Sequence, residues 1–191
     1  MKISNNEYRK KLKRYNVPNH ARELTFSCYK KYSYFSDPIA CEIFLKHLIL
    51  VRKIYQFELW AYVIMPDHVH LLIWPGKNGE MIPEVLHRLK GRTSKDYGMH
   101  IRTYCPQDYD SYCVNTQKKR HFKFWQSGGG FDRNLWNAKP VHNSIEYIEG
   151  NPVQAGLVDE PEKWPWSSAW ARKHQKGLVP DDKNIPTLMG S

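Results

Sequence analysis

The 191 residues give room for one domain with a real hydrophobic core and short extensions. Lys and Arg outnumber Asp and Glu 29 to 19, a formal charge of +10 with histidine neutral, which points to a polyanionic partner. No stretch approaches the length of a membrane span, and the polar, basic start lacks the apolar core of a signal peptide. Cys28, Cys41, Cys105 and Cys113 show no CxxC spacing, so neither a zinc site nor a disulfide framework is expected, and a reducing, cytoplasmic setting is.

In chain order, residues 1–21 read as a basic arm carrying Arg9-Lys10-Lys11 and Lys13-Arg14. Leu24 to Tyr29 alternates apolar and small polar residues, the period of a strand. After Ser36-Asp37-Pro38, the apolar residues Ile39, Ile43, Phe44, Leu48 and Val51 recur at helical spacing, so a helix should run to about residue 55. Phe57 to Ile64 and Val69 to Trp74 are strands meeting at a turn or bulge around Pro66, which cannot donate to a ladder. A loop from Pro75 to Gly79 leads into a helix through Val85, Leu86 and Leu89, with Arg88, Lys90, Arg92 and Lys95 along its exposed part.

Residues 98–120 read as a long polar connection ending in Lys118-Lys119-Arg120, and Phe122 to Gln126 as a further short strand before Ser127-Gly-Gly-Gly130. Pro140 opens a helix to about Glu149 that Asn151-Pro152 should stop. Trp164-Pro-Trp166 is expected to wrap back on the core, and residues 171–191 to form a weakly ordered tail. The order strand, helix, strand, strand, helix, strand predicts an α+β, ferredoxin-like sandwich over residues 22–170, an antiparallel sheet with helices packed on one face.

The chemistry concentrates in two places. A strand points alternate side chains the same way, so His68 and His70 share a face with Cα atoms roughly 6.5–7 Å apart, suited to one metal ion, while Val69 turns to the other. On the last helix, Val141, Ile145 and Ile148 form an apolar stripe, and Tyr147 and Asn151 lie one turn apart on its flank. A flank can meet the sheet without being swallowed by the core. Asn151 reads equally as a ligand and as a helix-terminating residue before Pro152; Asp67 reads as a support for a metal held by His68 or, preferably, as a turn residue, and Glu146 as solvent-facing. Aromatic residues interleaved with cations can stack unpaired bases, although most of the rings should be core. Arg88, Lys90, Arg92, Lys95, Lys118, Lys119 and Arg120 are candidate phosphate contacts.

Three blocks in register, Trp60 to His70 (WAYVIMPDHVH), Phe124 to Arg133 (FWQSGGGFDR) and Ile145 to Val158 (IEYIEGNPVQAGLV), continued by Trp164 to Ser168, resemble the single-tyrosine HUH transposases, the IS200-like transposases. Within them, the similarity is greatest to the branch associated with repetitive extragenic palindromic (REP) elements. The resemblance implies a ferredoxin-like fold, a divalent ion (Mg²⁺ or Mn²⁺) on His68 and His70, and Tyr147 as a nucleophile. It implies cleavage and rejoining of single-stranded, hairpin-forming DNA through a covalent 5′-phosphotyrosine, by a monomer or a homodimer. The insertion-sequence branch commonly places glutamine where this chain has Asn151, whose carbonyl oxygen could serve as a further metal ligand. A domesticated relative that binds DNA hairpins without cutting is the alternative, and the intact His68, His70 and Tyr147 speak against it.

Overall fold

The computed structural model describes residues 17–76, 81–115, 120–128 and 130–188. The basic stretch before residue 17, Lys118 and Lys119 lie outside the described residues. Strands β1 (Ala21–Ser27), β2 (Glu58–Met65), β3 (His68–Trp74) and β6 (Phe131–Leu135) form a sheet in the order β2-β3-β1-β6. The three pairings are all antiparallel. Helices α1 (Pro38–Tyr55) and α2 (Ile82–Tyr104) complete the ferredoxin-like order. A short helix α3 (Pro106–Tyr109) and a hairpin, β4 (Cys113–Asn115) with β5 (Arg120–Phe122), extend α2.

Strand alternation divides the interior in two. Leu24, Phe26, Val69, Leu71 and Ile73 join Phe44, Leu48, Val85 and Leu89 in a core beneath α1 and α2. This is the one-faced helical layer expected. On the other face, Trp60, Ala61, Val63 and Leu72 pack against Val141 and Ile148 of α4 (Ala138–Gln154), so the sheet is covered on both sides. A register shift between Leu59 and Ala61 lets the consecutive residues Trp60 and Ala61 share that second core. The outer edge of β2 is closed by Trp164 to Ser168: Ile64 N–H donates to the Trp166 carbonyl, and Trp164 Nε1 donates to that of Ile64, both at 2.9 Å.

Four expectations are corrected. The fourth strand of the sheet is Phe131–Leu135, not Phe122–Gln126. Phe124 and Trp125 are apolar because they plug the core between β1 and α2, whereas β6, with Asp132 and Asn134 inward, lacks a strand's apolar alternation. Helix α2 continues to Tyr104, since buried Thr93, Tyr97 and Ile101 sustain the helical period through a polar stretch. Helix α4 runs through Pro152 to Gln154. Proline there sacrifices a bond in the last turn only, and its ring is buried.

The expected weakly ordered tail is anchored instead, and residue 171 falls inside α5 (Ser168–His174). Asp181 pairs with Arg52 and accepts from the Leu59 N–H at 2.8 Å, Leu178 is buried, and Ile185 packs on the α4-side core. Among the described residues no helix is long and apolar enough to cross a membrane.

What ties β6 to β1 is a buried ion pair. Arg22 Nε donates to Asp132 Oδ1 at 2.9 Å and Nη2 to Oδ2 at 2.5 Å, with side chains only 2% and 4% exposed. Breaking such a pair strands a charge in low dielectric. Asp132→Ala should therefore cost about 3–5 kcal/mol in denaturant unfolding; a loss below about 1 kcal/mol, the worth of a surface pair, would contradict this.

Candidate active site

The register of β1 on β3 sets Thr25 opposite His70 and Ser27 opposite His68. Val69 turns into the α1–α2 core, so both imidazoles face α4, as the spacing predicts. Their ring centroids are 4.8 Å apart. His68 Nδ1 lies 2.5 Å from Asp67 Oδ1, and His70 Nδ1 lies 2.9 Å from Thr25 Oγ1. Each ring thus spends Nδ1 on a neighbour and keeps Nε2. His70 is 5% exposed, and its Nε2 is buried with no hydrogen-bond partner among the described residues.

Burial, reinforced by the nearby His68 and Lys31, holds the His70 pKa down to about 4, so this imidazole is neutral at neutral pH. Partial burial alone would raise Asp67, but the hydrogen bond from His68 and the ammonium of Lys31, 3.1 Å away, outweigh it and hold the carboxyl below its usual range.

Helix α4 delivers the tyrosine. Val141, Ser144, Ile148 and Pro152 are its buried stripe, and Tyr147 stands on the flank, 45% exposed. Its ring lies edge-on to His70, with centroids 5.6 Å apart and planes at 89°. The other flank is tethered: Glu149 accepts from Ser168 Oγ at 2.5 Å and pairs with Arg172, which also donates to the Trp60 carbonyl. Burial raises the Glu149 pKa despite those partners. Asn151 Nδ2 donates to the Tyr147 carbonyl at 2.7 Å, so the amide sits on the tyrosine's own flank. Glu146 is exposed, as expected.

A cavity of about 470 Å³ opens between these elements, lined by Glu23, Thr25, His70, Phe131, Arg133 and Tyr147. Buried Glu23 accepts from Ser144 Oγ at 3.0 Å and from Arg133 at 2.5 Å. Sequence reading leaves Thr25, Glu23 and Arg133 unassigned, and for Asp67 prefers a turn role over support of a metal ligand, whereas the structure sets it against His68 Nδ1. One signal was available for the first two: Glu23 and Thr25 are polar at alternate positions of a strand whose other face, Leu24 and Phe26, is core.

Two imidazoles whose Nδ1 atoms are fixed by a hydroxyl and a carboxylate, with one Nε2 buried and orphaned, fit the donor pattern of metal-binding histidines. Among the described residues no group of three or more His, Cys, Asp or Glu side chains could hold an ion. A metal would complete its shell with amide, water or phosphate oxygens.

The basic residues are not brought to one place. Arg88, Arg92 and Lys95 share the exposed face of α2, Arg88 lying 5.9 Å from the Tyr55 ring centroid. Lys90 points the other way, over Phe26 and Trp125. Arg120 is engaged with Asp110 at 3.3 Å. Tyr97, the other tyrosine near a basic helix, is buried and donates to Asp37 Oδ2 at 3.1 Å, a packing role.

Comparison with known proteins gives the family and the fold. Residues 16–149 match the model of the family described as "Transposase IS200 like". A Haemophilus influenzae protein provisionally named a REP-associated tyrosine transposase is 29% identical over 133 residues, 67% of each chain. The REP-associated tyrosine transposase of Escherichia coli K12 is 26% identical over 139 residues, 72% of this chain and 70% of that one. The fold is shared with the solved structure of a REP-associated tyrosine transposase bound to a REP hairpin, at a TM-score of 0.66 and 17% identity over 93% of this chain and 98% of the other. With the family match running from before β1 into α4 and taking in both histidines and Tyr147, the chain belongs to the IS200-like transposase family.

Proposed function

We propose that this transposase is a metal-dependent nuclease and strand-joining enzyme for single-stranded DNA, with Tyr147 as nucleophile and His68 and His70 as metal ligands. The carrying observation is the edge-on contact of Tyr147 with His70, whose Nε2 is buried without a partner among the described residues. Asn151 supplies a candidate amide oxygen one turn from the nucleophile. A bound Mg²⁺ or Mn²⁺ would polarise the scissile phosphate and stabilise charge in the transition state.

The chain's own residues do the rest. Thr25 and Asp67 hold the two rings with Nδ1 protonated, each N–H donating to an oxygen, so that both Nε2 atoms are free to ligate. Helix α4 holds the phenol at the cavity wall, partly open to solvent. The Tyr147 oxygen attacks phosphorus, a bond from phosphorus to tyrosine forms, and the bond to the 3′ oxygen breaks. The phenol proton leaves to solvent, and the departing oxygen takes one up to become a 3′-OH. The 5′-phosphotyrosine conserves the bond energy, so the reverse attack rejoins strands without a nucleotide cofactor.

The DNA is read as a REP-type hairpin with unpaired flanks. The relatives' names, the net charge of +10 and the structural neighbour's bound hairpin support this. The enzyme would work where the DNA is, in the cytoplasm. One chain brings both halves of the site together, which supports action in cis whether the protein is a monomer or a homodimer.

Incubation with labelled hairpin DNA and Mg²⁺ or Mn²⁺ should give a protein–DNA adduct that resists denaturation. Tyr147→Phe should abolish it, and chelation should suppress it. An adduct from Tyr147→Phe would reject the nucleophile; tight hairpin binding with no adduct under any divalent ion would favour the non-catalytic reading. Thr25→Val keeps the side chain's shape but removes the hydrogen-bond partner of His70. By calorimetry on the Tyr147→Phe background it should weaken Mn²⁺ binding about 10–100-fold, and unchanged affinity would show that Thr25 does not support a ligand.

A further inference from the structure

The cavity at Tyr147 shares wall residues with a neighbouring series of cavities. Two of its wall residues, Thr25 and Phe131, also line a second cavity of about 270 Å³, and two residues of that one, Lys90 and Gly128, line a third of about 450 Å³. The series turns the edge of the sheet where β6 begins, from the α4 face to the α2 face. At the turn the wall is bare backbone. Gly130 has φ +62, and a Cβ there would stand 2.1 Å from the Thr25 carbonyl oxygen, so the chain hugs β1 where no side chain could fit.

The far cavity is built for a basic, aromatic contact. Lys90 Nζ lies 5.4 Å from the Phe26 ring centroid and 5.7 Å from that of Trp125. The Trp125 ring is locked, its Nε1 donating to the Lys90 carbonyl at 2.9 Å. His87, Ser94, Lys123 and His121 add polar lining, and no carboxylate lines it among the described residues. A cavity of this size admits one flat group and cannot admit a duplex. Rings and cations together suit a nucleobase and its phosphate.

We propose that this cavity binds an unpaired nucleotide of the strand whose phosphate lies at Tyr147, the intervening nucleotides following the series of cavities over the sheet edge. The proposal rests on the DNA reading above, and it assigns the cavity by location rather than by sequence preference.

Gly91, in α2, lines the cavity, and a Cβ built on it meets nothing within 4 Å, so Gly91→Trp can obstruct the cavity without disturbing the fold. The probe is a short single-stranded oligonucleotide of randomised sequence carrying photoreactive thymidine, on the Tyr147→Phe background. Crosslinks should map to residues 86–94 and 121–128, and both Gly91→Trp and Lys90→Glu should weaken binding about tenfold, the worth of one stacked base. Crosslinks confined to other surfaces, or full affinity in both variants, would overturn the assignment. Adduct formation by the otherwise unaltered enzyme is scored separately on labelled hairpin DNA with Mn²⁺. Crosslinks in the cavity with no adduct on the hairpin DNA would reject the Tyr147 chemistry and leave the nucleotide site standing.

Discussion

The antiparallel register of β1 on β3 is the constraint on which the rest of this structure depends. Pairing Thr25 with His70 decides which face of the sheet carries the imidazoles, and a one-residue slip would send them into the α1–α2 core. The same register gives His70 its hydroxyl partner. It also puts both histidines under α4, the one helix on that side with an exposed tyrosine. Fold and site therefore share a single specification.

The strand β1 pays for this with charge on both faces. Arg22 reaches Asp132 on the α2 side, and Glu23 reaches Arg133 and Ser144 on the α4 side. Asp132 and Arg133 sit on β6 and Ser144 on α4, so these pairs clamp β6 and α4 to the strand that also positions His70. Partnered in this way, buried charges specify an arrangement more than they add net stability. A polar face beneath α4 leaves a cavity where a purely apolar interface would have closed. That cavity is the space in which a phosphate could meet both a histidine and a tyrosine.

Much of this was legible in the sequence. The alternation through His68 and His70 and the clean period of α1 rest on strongly apolar sides, and both held. The flank position of Tyr147 followed from the Val141, Ile145 and Ile148 stripe. The misses share a cause: tertiary partners replaced the local signal. Strand β6 is recognised through partners far off in sequence, such as Arg22, which lies 110 residues away from Asp132. Pro152 reads as a stop because burial of its ring cannot be seen locally. The chain beyond α5 reads as loose, although Asp181 and Leu178 fasten it to β2 and the core. The role of Thr25 depends on register, which no single strand reveals.

The central claim is that strand and helix of one chain make a complete site, the imidazoles on β3 and the nucleophile on α4. Mixing tests it directly. Tyr147→Phe lacks the nucleophile and His70→Ala lacks a ligand, so each alone should be inert in adduct formation with hairpin DNA and Mn²⁺. A site assembled within one chain predicts that an equimolar mixture stays inert, beside a wild-type control that reacts. Recovery of the adduct in the mixture would show that the tyrosine helix serves a neighbour's histidines, and would contradict the arrangement described.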